Sequence, residues 1–123
     1  MTLITTDSIQ QGLETFRNAD TIKRGLPPFA YTAEDFWEAE KDRLFPNSWV
    51  LVGFAHEMAN PGDAMPVNVG DNPIVLVRNR DNSIKAFHNV CRHRCLKLVD
   101  KAKNVGRMLK CPYHAWAYGL DGE

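Results

Sequence analysis

Two short stretches of the chain each pair a thiol with an imidazole: Cys91-Arg92-His93 and, after seventeen residues, Cys111-Pro112-Tyr113-His114. Four ligands of this mixed kind suit either a tetrahedral zinc ion or a two-iron, two-sulfide cluster. Spacing separates the two. A C-x2-C pattern wraps both soft ligands around one zinc, whereas C-x-H with C-x2-H makes two matching half-sites, each supplying one sulfur and one nitrogen. A cluster with Cys91 and Cys111 on a buried iron and His93 and His114 on the outer iron needs that arrangement. Neutral imidazoles in place of thiolates remove negative charge from one iron and raise the reduction potential. Two thiolates, two ferric ions and two sulfides sum to neutrality, so reduction adds one negative charge that backbone N–H groups of the two loops would stabilise. The alternatives are a zinc-binding interaction domain built on the same four residues, or cysteines that are plain core residues.

The elements that must position these loops are short. The chain has 123 residues, 44% of them apolar, and its 15 basic residues balance 15 acidic ones. That size supports one modest core, and a net charge of zero gives no reason to expect nucleic acid as a partner. The three cysteines cannot close a disulfide framework among themselves. The first residues, MTLITTDSIQQ, lack the basic and apolar regions of a signal peptide, and no run of about 18 apolar residues follows. The expectation is a soluble, cytoplasmic chain with no membrane partner.

Residues 1–45 read as a helical N-terminal extension and residues 46–123 as a small antiparallel β domain. Ile9, Leu13 and Phe16 share a helical face over residues 7–17, with Gly12 as the weak point, and Pro27-Pro28 enforces a turn. A second helix is expected from a Thr32 cap through Phe36, Trp37 and Leu44 to Pro46. Strands are expected over residues 49–55, 65–69, 74–79 and 83–90, with Asp81-Asn82 as a hairpin turn. Charge is uneven: residues 1–45 hold eight acids and five bases, residues 78–110 ten bases and two acids. The basic stretch suits either a solvated face or a docking surface for an acidic protein.

NVCRHR (89–94) and CPYHAWAYGLDG (111–122), preceded by WVLVGFA, the Pro61-Gly62 turn and IVLVRNRDNSIKAFHNV, resemble the Rieske domain of aromatic-ring-hydroxylating and related oxygenases, in their α subunit. The resemblance runs over roughly residues 25–123, including the helical lead-in that small Rieske ferredoxins usually lack. It implies a mainly β, Rieske-type domain holding one [2Fe-2S] cluster on Cys91, His93, Cys111 and His114. A reductase or ferredoxin would feed the cluster. The cluster would pass electrons to a mononuclear Fe(II) in an oxygenase catalytic domain, which in family trimers belongs to a neighbouring subunit. That catalytic domain is absent from these 123 residues, and neither His56 nor His88 forms a substitute iron site with the acids. The expectation is therefore an electron relay with no hydroxylating site of its own; a stand-alone Rieske-type ferredoxin is the alternative. Family members continue from the LDG turn into closing strands, so an uncovered sheet edge is expected here.

Two positions depart from the family pattern. Cys95 and Ala115 stand where glycine is usual, and a side chain there resists a positive φ beside the cluster. Some respiratory Rieske proteins pair an extra cysteine across the loops. Cys95 has no such partner, and is expected as a partly buried free thiol; ligand exchange with Cys91 and oxidation are its other readings. Tyr113, Trp116 and Tyr118 are expected to cover the cluster against water, with a tyrosine hydroxyl bonding a ligand sulfur as the functional version. Arg92 and Arg94 are expected at the rim, where they would meet a donor protein or an adjacent subunit.

Overall fold

A computed structural model describes residues 6–22 and 25–123. Residues 1–5, on which the leader-peptide reading partly rests, and residues 23–24 lie outside the described residues. The chain divides into two compact units, Met1–Trp49 and Val50–Glu123.

In the first unit, α1 (Thr6–Asn18) forms where the apolar spacing requires it, with Ile9 buried and Leu13 and Phe16 half-buried on the same face. Gly12 has a packing reason: a Cβ there would lie 2.8 Å from the Phe29 ring. The expected second helix is not continuous. Pro27 and Pro28 launch a single turn, α2 (Phe29–Thr32), and Ala33 adopts an extended conformation before α3 (Glu34–Ala39). Thr32 therefore ends a turn instead of capping a helix, its hydroxyl donating to the Pro28 carbonyl at 3.2 Å. Beyond α3 the backbone widens into a π-helical turn, Glu40–Leu44, then tightens into a 3-10 turn at Phe45–Asn47. Pro46 explains this, since it lacks the N–H that a continuing α-helix needs and crowds the carbonyl four residues earlier. Phe36 is buried and meets Phe29 edge-on at 5.9 Å.

In the second unit, β1 (Asp63–Val69), β2 (Asn72–Arg78) and β3 (Ile84–His88) form an antiparallel meander, joined on the β1 side by the short β4 (Lys103–Asn104), in the order β3-β2-β1-β4. A separate hairpin pairs β5 (Met108–Lys110) with β6 (Ala117–Gly119). Asn82 takes the left-handed conformation (φ 67°) in the β2–β3 turn, as a hairpin asparagine does. Val75, Val77, Ala64, Leu98, Val99, Leu109 and Leu120 form the core, and Cys91 and Cys111 are part of it. The Arg78 guanidinium donates to the carbonyls of Met58, Ala55 and Asn82, tying the 55–58 turn and the hairpin to β2.

One expected strand is missing. Residues 50–54 take no regular structure and pair with no strand, leaving Leu51 79% and Phe54 58% exposed. The apolar run has strand composition, but strand formation needs a partner edge as well. β3 and β4 are the two edges of this sheet, so the expectation of an uncovered sheet edge holds.

Gly62 carries a positive φ of 88° where the chain passes the 104–106 loop, and a Cβ there would lie 2.5 Å from the Gly106 carbonyl oxygen. Backbone bonds from the Gly62 N–H to Arg78 and from the Val105 N–H to Gly62 hold the crossing, both at 2.8 Å. Gly62→Ala is expected to cost about 1–3 kcal/mol of stability through strain and the clash with backbone. A urea midpoint unchanged from the parent would contradict that.

Candidate metal centre

Each cysteine–histidine pair sits on a loop of the same construction. In residues 91–96, the Cys95 N–H donates to the Cys91 carbonyl (2.8 Å) and the Cys91 N–H to the Leu96 carbonyl (2.7 Å). In residues 111–116, the Ala115 N–H donates to Cys111 (3.1 Å) and the Cys111 N–H to Trp116 (2.7 Å). The fifth residue of each loop is left-handed, at φ 53° for Cys95 and 61° for Ala115. Both side chains thus occupy the conformation that favours glycine, at a cost of order 1 kcal/mol or more each. Cys95 itself is exposed, not partly buried as expected.

Cys91 and Cys111 are 1% and 3% exposed and belong to one core cluster, whereas His93 and His114 lie in solvent with ring centres 4.8 Å apart. The four residues singled out from spacing therefore arrive as a buried sulfur pair and an exposed nitrogen pair. Among the described residues, no three His, Cys, Asp or Glu side chains gather in the way that would hold a single ion. A two-iron cluster asks for two protein ligands per iron, so this donor set, in pairs, fits it; a lone tetrahedral zinc asks for four around one centre. His56 is exposed and stacks on Phe54 (5.7 Å), and His88 is exposed on β3; neither joins the site.

Tyr118, on β6, links the loops. Its hydroxyl lies 3.2 Å from the Cys91 sulfur and accepts the Arg92 N–H at 3.0 Å, which leaves the hydroxyl proton free to point at sulfur. This bond is the largest cause holding the Cys91 thiol below its usual pKa, with burial opposing and the backbone N–H groups of His93 and Arg94 assisting. The same bond, then burial, raises the Tyr118 phenol above its ordinary value, so it keeps its proton.

The aromatic cover is different from that expected. Tyr113 and Trp116 are 55% and 49% exposed and flank the imidazoles. Trp116 is parallel to His93, with ring centres 5.1 Å apart and planes 4° from coincidence, and Tyr113 packs on His114 at 3.8 Å. The Arg94 guanidinium lies 5.9 Å from the Tyr113 ring centre, so this arginine is at the rim as expected.

Sequence reasoning missed Asn89. Its side chain is 1% exposed and makes three hydrogen bonds to one loop: the amide donates to the Val99 carbonyl (2.7 Å), and the oxygen accepts the N–H groups of Leu98 (3.1 Å) and Val99 (3.0 Å). Its own N–H donates to Pro73 on β2 (2.8 Å). It fixes the segment that follows the first ligand loop to the strand that precedes it. The only signal in the sequence was an amide at a strand end two residues before a ligand cysteine.

The family model of the Rieske [2Fe-2S] domain matches residues 48–123. The oxygenase subunit of glycine betaine monooxygenase from Chromohalobacter salexigens is 37% identical over 99% of the chain and 29% of its own length. That of carnitine monooxygenase from Escherichia coli is 44% identical over 79% of the chain and 26% of its own length. A solved structure of a quaternary ammonium Rieske monooxygenase, described in terms of carnitine oxidation and inter-subunit electron transfer, superposes with a TM-score of 0.70 at 37% identity, covering 77% of the chain and 26% of that protein. The chain spans 26–29% of the length of these relatives. Among the described residues, no helix is long and apolar enough to cross a membrane.

Proposed function

The chain belongs to the Rieske [2Fe-2S] domain family, its fold matching the N-terminal Rieske domain of ring-hydroxylating oxygenase α subunits, and from that premise we propose that it relays electrons through a cluster held by Cys91, His93, Cys111 and His114. When bound, such a cluster takes up and releases one electron at a time. Cys91 and Cys111, both buried, would hold it from the core side, where their sulfurs are kept from water. Tyr118 and the N–H groups of His93 and Arg94 favour negative charge on the Cys91 sulfur and would stabilise the charge that reduction adds. His93 and His114, both exposed, would hold the cluster on the side that a partner can approach.

The observation that carries this reading is the separation into a buried sulfur pair and an exposed nitrogen pair. The partners that follow are a reductase or ferredoxin as donor and, as acceptor, the mononuclear iron site of an oxygenase catalytic domain or neighbouring subunit. In this reading residues 46–123 are the Rieske domain, behind a helical extension over residues 1–45. The relative matching 99% of the chain, helices included, supports an oxygenase α subunit over a free ferredoxin. It also makes a quaternary ammonium compound the substrate class to assay first in the parent oxygenase.

Iron and acid-labile sulfide analysis of the purified chain, with electron paramagnetic resonance after dithionite reduction, tests the proposal. About two irons and two sulfides per chain are expected; one zinc and no sulfide would overturn it. Tyr118→Phe is expected to keep the cluster and lower its potential by roughly 65–130 mV, since a hydrogen bond to a charged group is worth about 1.5–3 kcal/mol and 59 mV corresponds to a tenfold change. An unchanged potential in a redox titration would show that the hydroxyl does not tune it.

A further inference from the structure

Trp116 is half-exposed, so burial alone does not hold its ring where it is. It nevertheless lies within 4° of parallel to the imidazole of His93, a residue of the other loop, at a centre-to-centre distance of 5.1 Å that fits offset stacking. Its backbone is pinned, because its carbonyl accepts the Cys111 N–H at 2.7 Å. Two residues on, Tyr118 reaches the other ligand of the first loop, Cys91, and the Arg92 N–H. The exit of the second loop therefore touches both proposed ligands of the first. His114 is treated differently, flanked by its own neighbour Tyr113.

We propose that Trp116 is the positioning residue for His93, fixing the rotation of its imidazole from across the two loops. The proposal rests on the assignment of His93 as a ligand. It makes the two imidazoles independently adjustable, one through Trp116 and the other through Tyr113.

The test is pulsed electron paramagnetic resonance of the reduced, cluster-loaded chain carrying nitrogen-15 histidine, read in the parent, Trp116→Ala, Trp116→Phe and Tyr113→Ala. Trp116→Ala is expected to change the hyperfine coupling of one imidazole nitrogen and leave the other, with Trp116→Phe restoring the parent value. Tyr113→Ala is expected to move the other nitrogen. Cluster loss under chelator is expected to quicken about 2- to 10-fold in Trp116→Ala, in line with the worth of one aromatic stack. Parent-like couplings and loss rate in Trp116→Ala would overturn the proposal, as would equal changes at both nitrogens. If Trp116→Ala fails to fold, Trp116→Leu and Trp116→Phe give the same comparison. Failure of the underlying assignment is distinguishable, because the parent chain would then show no pair of coupled imidazole nitrogens at all.

Discussion

His93→Cys is expected to retain a cluster in at least part of the protein while lowering its reduction potential by roughly 100–300 mV, the largest redox effect of any single substitution here. The direction follows from charge. A thiolate in place of a neutral imidazole puts an extra negative charge on the outer iron, so adding an electron becomes harder. The magnitude follows from the gap between clusters with two imidazole ligands and those with four thiolates, of which one exchange covers a part. The loop accepts the change because its frame is set by main-chain bonds of Cys91, Cys95 and Leu96, none of which uses the His93 side chain. Spectroelectrochemical titration beside the parent measures the shift. A potential equal to the parent's would exclude His93 as a ligand.

Asn89→Leu is expected to have the largest effect on stability, about 3–5 kcal/mol, with loss of most of the cluster. Leucine keeps the branched skeleton of asparagine but cannot hydrogen-bond, so it leaves the N–H groups of Leu98 and Val99 and the Val99 carbonyl without their partner, in a segment where both residues are buried. Each buried group left unsatisfied costs about 1–3 kcal/mol, and some recover by reaching water. In a unit of this size such a loss is a large share of the total stability. Urea denaturation and iron content per chain give the two readouts. An unchanged midpoint with full iron would mean that the 97–100 segment holds itself in place.

The contrast between these residues shows what was legible in the sequence. Cys91, His93, Cys111 and His114 were legible because ligand type and spacing are local properties, and the loops that carry them are closed by bonds within six residues. The first three strands of the meander were legible for the same reason: alternation and a hairpin asparagine are read within a few positions. Asn89 was not, since its role depends on the main chain of residues nine and ten positions away, in a loop with no regular pattern. The strands β4, β5 and β6 span two or three residues, too few for periodicity to register. Residues 49–55 failed in the opposite direction: the composition of a strand was present, and no main-chain ladder to a neighbouring strand formed. The helix expected from Thr32 to Pro46 was right about where the chain coils, but Ala33 and Pro46 each act on geometry that helix propensity does not capture.

The exposure of Cys95 has a practical consequence. Among the three cysteines it alone faces solvent, Cys91 and Cys111 being buried. The folded chain therefore carries its own single attachment point at the mouth of the site. A maleimide dye or spin label should couple there once per molecule, verified by mass spectrometry, with no cysteine to add or remove. The label would stand four residues from Cys91 and two from His93, close enough to report a docking protein's arrival by quenching or broadening, in a spot that glycine would leave bare.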